Sequence, residues 1–241
     1  SVTKSFTALA IMQMQKDGLL SVDDPVSKYV PEFTNKNLKE PVKLWHLMCH
    51  SGGFFPLPRI VINKTAQEMG IEDSLEDELI YREDFAEEGV RRVAERLDEQ
   101  TRFTGRPGQR LSYCNDGFGL LSDIVRRHSG YGSLGMDRSN ISFIRNTLDD
   151  NAATLYSFEN GEWRADRDYQ NDAFVLHGGG GMKSTMGDML KYAVMYLNEG
   201  TAENGNQIVD RYSIQEMGKP RQFMKPGIYY GYGLETKQLE D

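Results

Sequence analysis

The spacing of apolar residues predicts a series of helices separated by glycines. Between residues 2 and 17, apolar positions recur every three or four residues around most of the circumference, as in a buried helix, and Gly18 ends the pattern. In residues 87–100 the apolar positions lie on one face, which is typical of a surface helix. Further helices are predicted at 42–50, 115–129, 185–198 and 210–218.

The later part of the chain adds strand signals. The residues on either side of Asn160 and the glycine after it predict a β-hairpin at 154–164, because Asn-Gly favours the tight turn between antiparallel strands. A strand is also predicted at 229–234. No repeat or low-complexity linker divides the 241 residues. We therefore expect a single domain, helix-rich over 1–150, with the hairpin, a glycine loop and helices over 151–241.

Charge and composition exclude several functional classes. With 28 basic and 36 acidic residues the net charge is −8, whereas a nucleic-acid-binding protein needs a basic surface. No apolar run approaches the ~20 residues that span a bilayer. Cys49 and Cys114 form neither a disulfide framework nor a zinc-binding spacing, and His46 and His50, on one predicted helix face, lack a third ligand nearby. We therefore expect no nucleic acid, transmembrane segment, metal or cofactor.

Ser1 and Lys4 stand three residues apart at the start of the first predicted helix, a spacing that places both side chains on one face. A serine hydroxyl becomes a nucleophile when a neighbouring base takes its proton, and a lysine can be that base when burial lowers its pKa. The helix N-terminus also favours a developing oxyanion. The pair is a candidate nucleophile and base, although an exposed serine beside a solvated lysine is the commoner outcome of so short a motif.

Tyr113 and Asn115 lie at the start of another predicted helix. A tyrosine near a cation can shuttle a proton, and an asparagine can bind a substrate carbonyl while it holds a lysine. Taken alone, the two residues are more simply explained as a core tyrosine and a helix N-cap.

Four stretches, in this order, resemble the serine β-lactamase and penicillin-binding protein family, in the class C-like branch with D-aminopeptidases, DD-carboxypeptidases and family VIII-type esterases. They are SVTKSFTALAIMQMQKDGLLSVDDPVSKYVPEF, LWHLMCHSGG, PGQRLSYCNDGFGLLSDIVRRHSG and GGGGMKSTMGDMLKYAVMYLN. The resemblance covers most of residues 1–235. This branch carries Tyr-x-Asn where class A relatives, which share the Ser-x-x-Lys motif, carry Ser-Asp-Asn.

The resemblance implies an α+β fold of the β-lactamase/transpeptidase type, with a helical region packed on an antiparallel sheet that this chain contains only in part. It also implies that Ser1 is the acylated nucleophile and that its N–H forms half of the oxyanion hole. Lys4 would hold or take the serine proton. Tyr113 would be the general base in acylation and would relay a proton to the leaving group, and Asn115 would contact Lys4 and the substrate amide.

The sequence departs from the family pattern in three places. The family has strands and usually a helix before the serine, which opens this sequence, and residues 130–136 are compressed relative to the family. The family's third motif, His/Lys-Thr/Ser-Gly on a late strand, is expected beyond residue 241. We therefore expect a missing polypeptide segment or a second chain to supply that motif and the second oxyanion donor.

His177, Gly178 and Gly179 are similar in composition to the third motif, but they precede residues 184–188, which predict a helix N-cap and not a strand. We take the glycines as positions of close backbone approach near the cleft. His177, with the two glycines, is a candidate substrate-binding residue whose simpler interpretation is structural.

The leading functional hypothesis is a serine acyl-transfer hydrolase that forms a covalent acyl-enzyme on an amide, a small peptide (with or without a D-residue), an ester or a β-lactam. Peptidase or esterase activity ranks above β-lactamase activity, which needs its own deacylation route. Two alternatives are open. One is a catalytically silent relative that binds peptides or scaffolds an assembly, and the other is an N-terminal nucleophile in which the α-amine of Ser1 is the base.

Overall fold

The computed structural model of the protein describes residues 1–58, 68, 83–128, 136, 138–139, 151, 153–166 and 178–237. Within these residues the helices are α1 (Thr3–Lys16), α2 (Leu44–Met48), α3 (Glu83–Asp98), α4 (Asn115–Arg127), α5 (Met186–Leu197) and α6 (Arg211–Gly218), with a short 3₁₀ turn at Val26–Lys28. The strands are β1 (Leu155–Glu159), β2 (Glu162–Asp166), β3 (Gln222–Lys225), β4 (Ile228–Tyr230) and β5 (Glu235–Lys237). The helices lie where the apolar spacing predicts them, and α3 begins at Glu83 instead of residue 87.

Helix α1 is buried on most of its circumference, as its apolar spacing predicts. It packs on α4 and α6, and its apolar residues join the main core. The helix ends where the backbone of Gly18 adopts a φ of 75°, a conformation that glycine adopts without strain. Because α1 lies inside the molecule, any polar side chain on it must find its partners in other segments.

Helix α4 is the common neighbour of α1, α2 and α3. Its apolar face is fully buried through Phe118, Leu121 and Ile124. At its last turn the buried carboxylate of Asp123 accepts hydrogen bonds from Arg126 and Arg127, three and four residues further along. Residues 113 and 114, which lead into α4, therefore precede a well-packed helix.

Strands β1 and β2 form the predicted hairpin. They pair antiparallel, with Phe158 opposite Trp163, and are joined by a turn in which Asn160 and Gly161 have φ values of 52° and 85°. Two successive positive φ values are typical of the type I′ turn that Asn-Gly favours.

The late strands β3, β4 and β5 form a three-stranded antiparallel sheet in that order. The predicted single strand at 229–234 is wrong, because β4 ends at Tyr230. A Cβ at Gly231 would lie 2.3 Å from the Met217 carbonyl oxygen, and one at Gly233 would lie 2.7 Å from the Lys4 carbonyl oxygen. The chain leaves the sheet here because only glycine permits this close approach to α6 and α1. Helices and small antiparallel sheets together give the α+β fold that the family resemblance implies.

Candidate active site

Ser1 and Lys4 meet at the N-terminus of α1. Lys4 Nζ donates a hydrogen bond to Ser1 Oγ at 3.2 Å. The Ser1 residue is exposed, whereas the Lys4 side chain is completely buried. One helical turn therefore carries a hydroxyl that solvent and substrate can reach and an amine that they cannot.

The surroundings of Lys4 are mostly apolar. Its Nζ lies 5.0 Å from the centroid of the Tyr113 ring and 5.5 Å from that of Phe118. Within the described part of the chain no carboxylate lies within 4.0 Å of it. Burial lowers the pKa of Lys4 to about 8. About one amine in ten is therefore unprotonated at pH 7 and able to accept the serine proton, and most are unprotonated at pH 9.

A glycine loop at residues 178–182 is fastened to α1 by three side chains. Lys4 Nζ donates to the Gly179 carbonyl at 2.5 Å, and Thr7 Oγ1 donates to the Gly178 carbonyl at 2.9 Å. Thr3 Oγ1 accepts from the backbone N–H of Met182 at 3.2 Å. Thr3 and Thr7 were not among the candidate residues predicted from the sequence, although their spacing places them beside Lys4 on one helical face.

The two glycines of this loop differ in how closely they are packed. A Cβ at Gly178 would lie 2.3 Å from Ser122 Cβ and 2.8 Å from Thr7 Oγ1. At Gly179 the nearest atom to such a Cβ is the Asn115 carbonyl oxygen at 3.5 Å. The loop therefore passes between α1 and α4 at Gly178. His177 lies outside the described residues, while residues 184–188 form the predicted N-cap, with Thr185 Oγ1 accepting from Asp188 N–H.

Tyr113 is half-buried in the segment just before α4. Its ring packs beside the Lys4 amine and against the ring of His50, with centroids 3.9 Å apart and planes at 30°. Within the described residues the Tyr113 hydroxyl makes no hydrogen bond to Ser1 or Lys4. The contact with the Lys4 amine is made by the aromatic ring. The sequence-predicted Ser1, Lys4 and Tyr113 are brought together by α1 and the start of α4.

Asn115 is the first residue of α4 and is exposed. Its carbonyl faces Gly179, but among the described residues its side chain forms no hydrogen bond with Lys4. The N-cap of α4 is Cys114, whose thiol points inward and donates to Asp116 Oδ2 at 3.4 Å. The helix-cap interpretation of Asn115 is therefore wrong by one residue.

His46 and His50 each bond to the backbone through one ring nitrogen. His46 Nδ1 accepts from the backbone N–H of Lys43 at 3.0 Å, and His50 Nδ1 accepts from that of Cys114 at 3.1 Å. Burial lowers the pKa of His46 to about 4 and that of His50 to about 3. Within the residues that the structure describes, no group of three or more metal-ligating side chains is found, and no helix is long and apolar enough to cross a membrane.

Comparison with known proteins identifies the family. The beta-lactamase family model matches residues 1–240. The chain belongs to the beta-lactamase family. Among solved structures, this family member is similar to the octameric penicillin-binding protein homologue from Pyrococcus abyssi, with 29% identity and a TM-score of 0.72. A D-stereospecific amidohydrolase from Streptomyces sp., 18% identical with a TM-score of 0.69, shares the fold.

The relatives are longer than this beta-lactamase family chain. The alignments cover 97% of this chain but 52% of the Pyrococcus protein, and 99% of this chain but 70% of the Streptomyces amidohydrolase. A beta-lactamase from Yersinia enterocolitica is 39% identical over 57 residues, which is 24% of this chain and 14% of that protein. The chain thus spans about half the length of the Pyrococcus relative, and the expected additional segment or second chain stays a prediction.

Proposed function

We propose that the protein is a serine acyl-transfer hydrolase that works through a covalent acyl-enzyme. The observation that carries this proposal is the hydrogen bond between the exposed Ser1 hydroxyl and the buried Lys4 amine, whose pKa is lowered to about 8. Membership of the beta-lactamase family supports the same chemistry. Ser1, Lys4, Tyr113 and Asn115 are its proposed catalytic residues.

In the proposed acylation, Ser1 Oγ attacks the substrate carbonyl carbon while its proton passes to the base formed by Lys4 and Tyr113. Lys4 lies within direct reach of the hydroxyl, and Tyr113, packed on the amine, relays the proton to the leaving group. The oxyanion is stabilised by the Ser1 N–H and the N-terminal end of α1. Attack by water then releases the acyl group, returns a proton to Ser1 and completes one hydrolysis.

The exposed position of Asn115 supports a role toward the substrate amide in preference to one toward Lys4. His177, Gly178 and Gly179 are the proposed substrate-binding residues. Because the Gly179 carbonyl already accepts from Lys4, its contribution is to hold the amine in place. A missing segment or second chain that carries the His/Lys-x-Gly motif remains part of the proposal.

Substrate class is tested by a panel. We expect turnover of an amide, a small peptide (including D-residue peptides), an ester or a β-lactam, with peptidase or esterase activity ahead of β-lactamase activity. Hydrolysis of a D-aminoacyl anilide, a p-nitrophenyl ester and nitrocefin is compared in parallel. Ser1→Ala is the control, because it removes only the nucleophile. Turnover that survives in Ser1→Ala contradicts the proposal.

One observation favours a second candidate, a catalytically silent relative that binds peptides or scaffolds an assembly. Neither the Tyr113 hydroxyl nor the Asn115 side chain hydrogen-bonds Lys4 in the described residues, so two of the four proposed catalytic groups are not joined to the amine. A fluorophosphonate probe, which reacts with an activated serine whatever the substrate class, separates the two functions. The hydrolase forms a covalent adduct with it at Ser1, and the silent relative does not.

A further inference from the structure

His50 makes three contacts with Tyr113 and its two neighbours in the sequence. The His50 carbonyl accepts from the backbone N–H of Ser112 at 2.7 Å, and His50 Nδ1 accepts from that of Cys114 at 3.1 Å. Between these two bonds, the His50 and Tyr113 rings pack with centroids 3.9 Å apart. His50 therefore holds the backbone on both sides of Tyr113 and also contacts the ring between them.

The backbone of His50 makes this arrangement possible. Its φ is 54°, in the left-handed region, directly after α2 and its C-cap Cys49. Such a conformation carries a cost for residues other than glycine and asparagine, and it persists where the surroundings fix it. It turns the carbonyl and the imidazole of one residue toward the same segment.

The imidazole of His50 is held in one protonation state. Because Nδ1 accepts a hydrogen bond, the neutral ring carries its proton on Nε2. Burial, and then the nearby charge of Lys4, lower the pKa of His50 to about 3, so the ring is neutral at neutral pH. The titratable groups that face it are Lys4, Tyr113, Cys114 and Tyr230, and the Phe118 ring also packs against it.

His50 Nε2 is buried and has no hydrogen-bond partner among the described residues. An unsatisfied buried polar group costs about 1–3 kcal/mol. An apolar ring would fill the same space without that cost but would leave the Cys114 N–H without an acceptor. A histidine at this position therefore provides both a ring that packs on Tyr113 and a hydrogen-bond acceptor for the backbone N–H of Cys114.

We propose that His50 is a positioning residue that fixes the Tyr113 ring beside Lys4, through the ring contact and the hydrogen bonds to Ser112 and Cys114. The inference rests on the proposed function, in which Tyr113 relays the serine proton. His50 touches neither Ser1 nor the substrate, and it acts through Tyr113.

The test is the rate at which a fluorophosphonate probe labels Ser1. His50→Asn suits the positive φ but removes the ring, and we expect labelling to slow by roughly 10- to 100-fold, part of the worth of a positioned acid–base group. His50→Phe restores a ring and recovers most of that rate. In a Tyr113→Phe background the His50 substitutions change the rate by less than about two-fold, because residues that act together are not additive.

His46→Asn is the matched control, because His46 is also buried and also accepts a backbone N–H but contacts Trp45 and not Tyr113. It should leave the rate unchanged once the folded fraction, measured by circular dichroism, is equal. If His50→Asn slows labelling equally in the parent protein and in the Tyr113→Phe background, the positioning role is overturned while the proposed function is left intact.

A second measurement needs no activity. Stacking on His50 displaces the ring resonances of isotope-labelled Tyr113 upfield, so His50→Asn removes this displacement and His50→Phe keeps it. Resonances that do not respond to His50→Asn overturn the inference. If Ser1 is never labelled, the proposed function fails, and the resonances still decide whether His50 positions Tyr113.

Discussion

Helix α1 and the β1–β2 hairpin place their side chains in opposite ways. In α1 the cationic side chain of Lys4 is 0% exposed, whereas in the hairpin the apolar side chains of Phe158 and Trp163 are 61% and 70% exposed. Lys4 depends on long-range partners, because Gly179 and Tyr113 come from distant parts of the chain. The hairpin depends on its own turn and on cross-strand pairs. The proposed chemistry therefore lies where tertiary contacts override the preference of the residue for solvent, and we expect substitutions to have unequal effects in the two regions.

The largest effect is expected at Tyr113. Tyr113→Phe keeps the ring beside Lys4 but removes the hydroxyl, so acylation by a fluorescent penicillin should slow by roughly 100- to 10,000-fold, the usual worth of a positioned acid–base group. Tyr229→Phe is the control, because it deletes the same atom from a ring that packs against Phe223. Equal rates in Tyr113→Phe and the parent protein would show that the Tyr113 hydroxyl takes no part in the proton transfer.

The next effect is on the glycine loop. In Gly178→Ala the new methyl would meet Ser122 and Thr7 in the packed space between α1 and α4, so we expect the free energy of unfolding to fall by more than about 2 kcal/mol. Gly179→Ala has room for the same methyl and should change it by less than about 1 kcal/mol. Urea denaturation measures both. Similar values for the two variants would show that the loop does not pass between the helices as described.

The pH dependence of acylation should follow Lys4. Its pKa of about 8 lies below the ordinary value of 10.5, so the amine loses its proton as the pH rises through 8. The acylation rate should therefore increase by about ten-fold between pH 7 and pH 9 and level off above this range. A stopped-flow profile with the fluorescent penicillin measures it. A rate that is flat across this range would exclude the unprotonated amine as the base.

The smallest effect is expected in the hairpin. Trp163→Ser removes an exposed ring whose described partner is the cross-strand Phe158, so the free energy of unfolding should change by less than about 0.5 kcal/mol and acylation should not change. Thermal denaturation and the penicillin assay are sufficient. A loss above about 2 kcal/mol would mean that the hairpin supports the core, and the contrast with α1 would fail.

Features encoded by local residues were predictable from the sequence. The Asn160-Gly161 turn and the apolar spacing of α1 and α4 act over a few residues, and the structure confirms them. The same holds for the Ser1–Lys4 contact, because a three-residue interval on a helix fixes it.

Features that depend on distant segments were not predictable in the same way. Thr7 meets Gly178 across 171 residues of sequence, and His50 meets Cys114 across 64. The end of β4 at Tyr230 depends on how closely the following glycines approach α1 and α6, and no local pattern encodes that distance.

The most direct test of the central claim is to find the acylated atom. The protein is incubated with the fluorophosphonate probe, digested with protease and analysed by mass spectrometry, beside Ser1→Ala. We predict one covalent adduct, on the peptide that contains Ser1, and none in Ser1→Ala. No adduct, or an adduct on another residue that persists in Ser1→Ala, would contradict the assignment of Ser1 as the nucleophile.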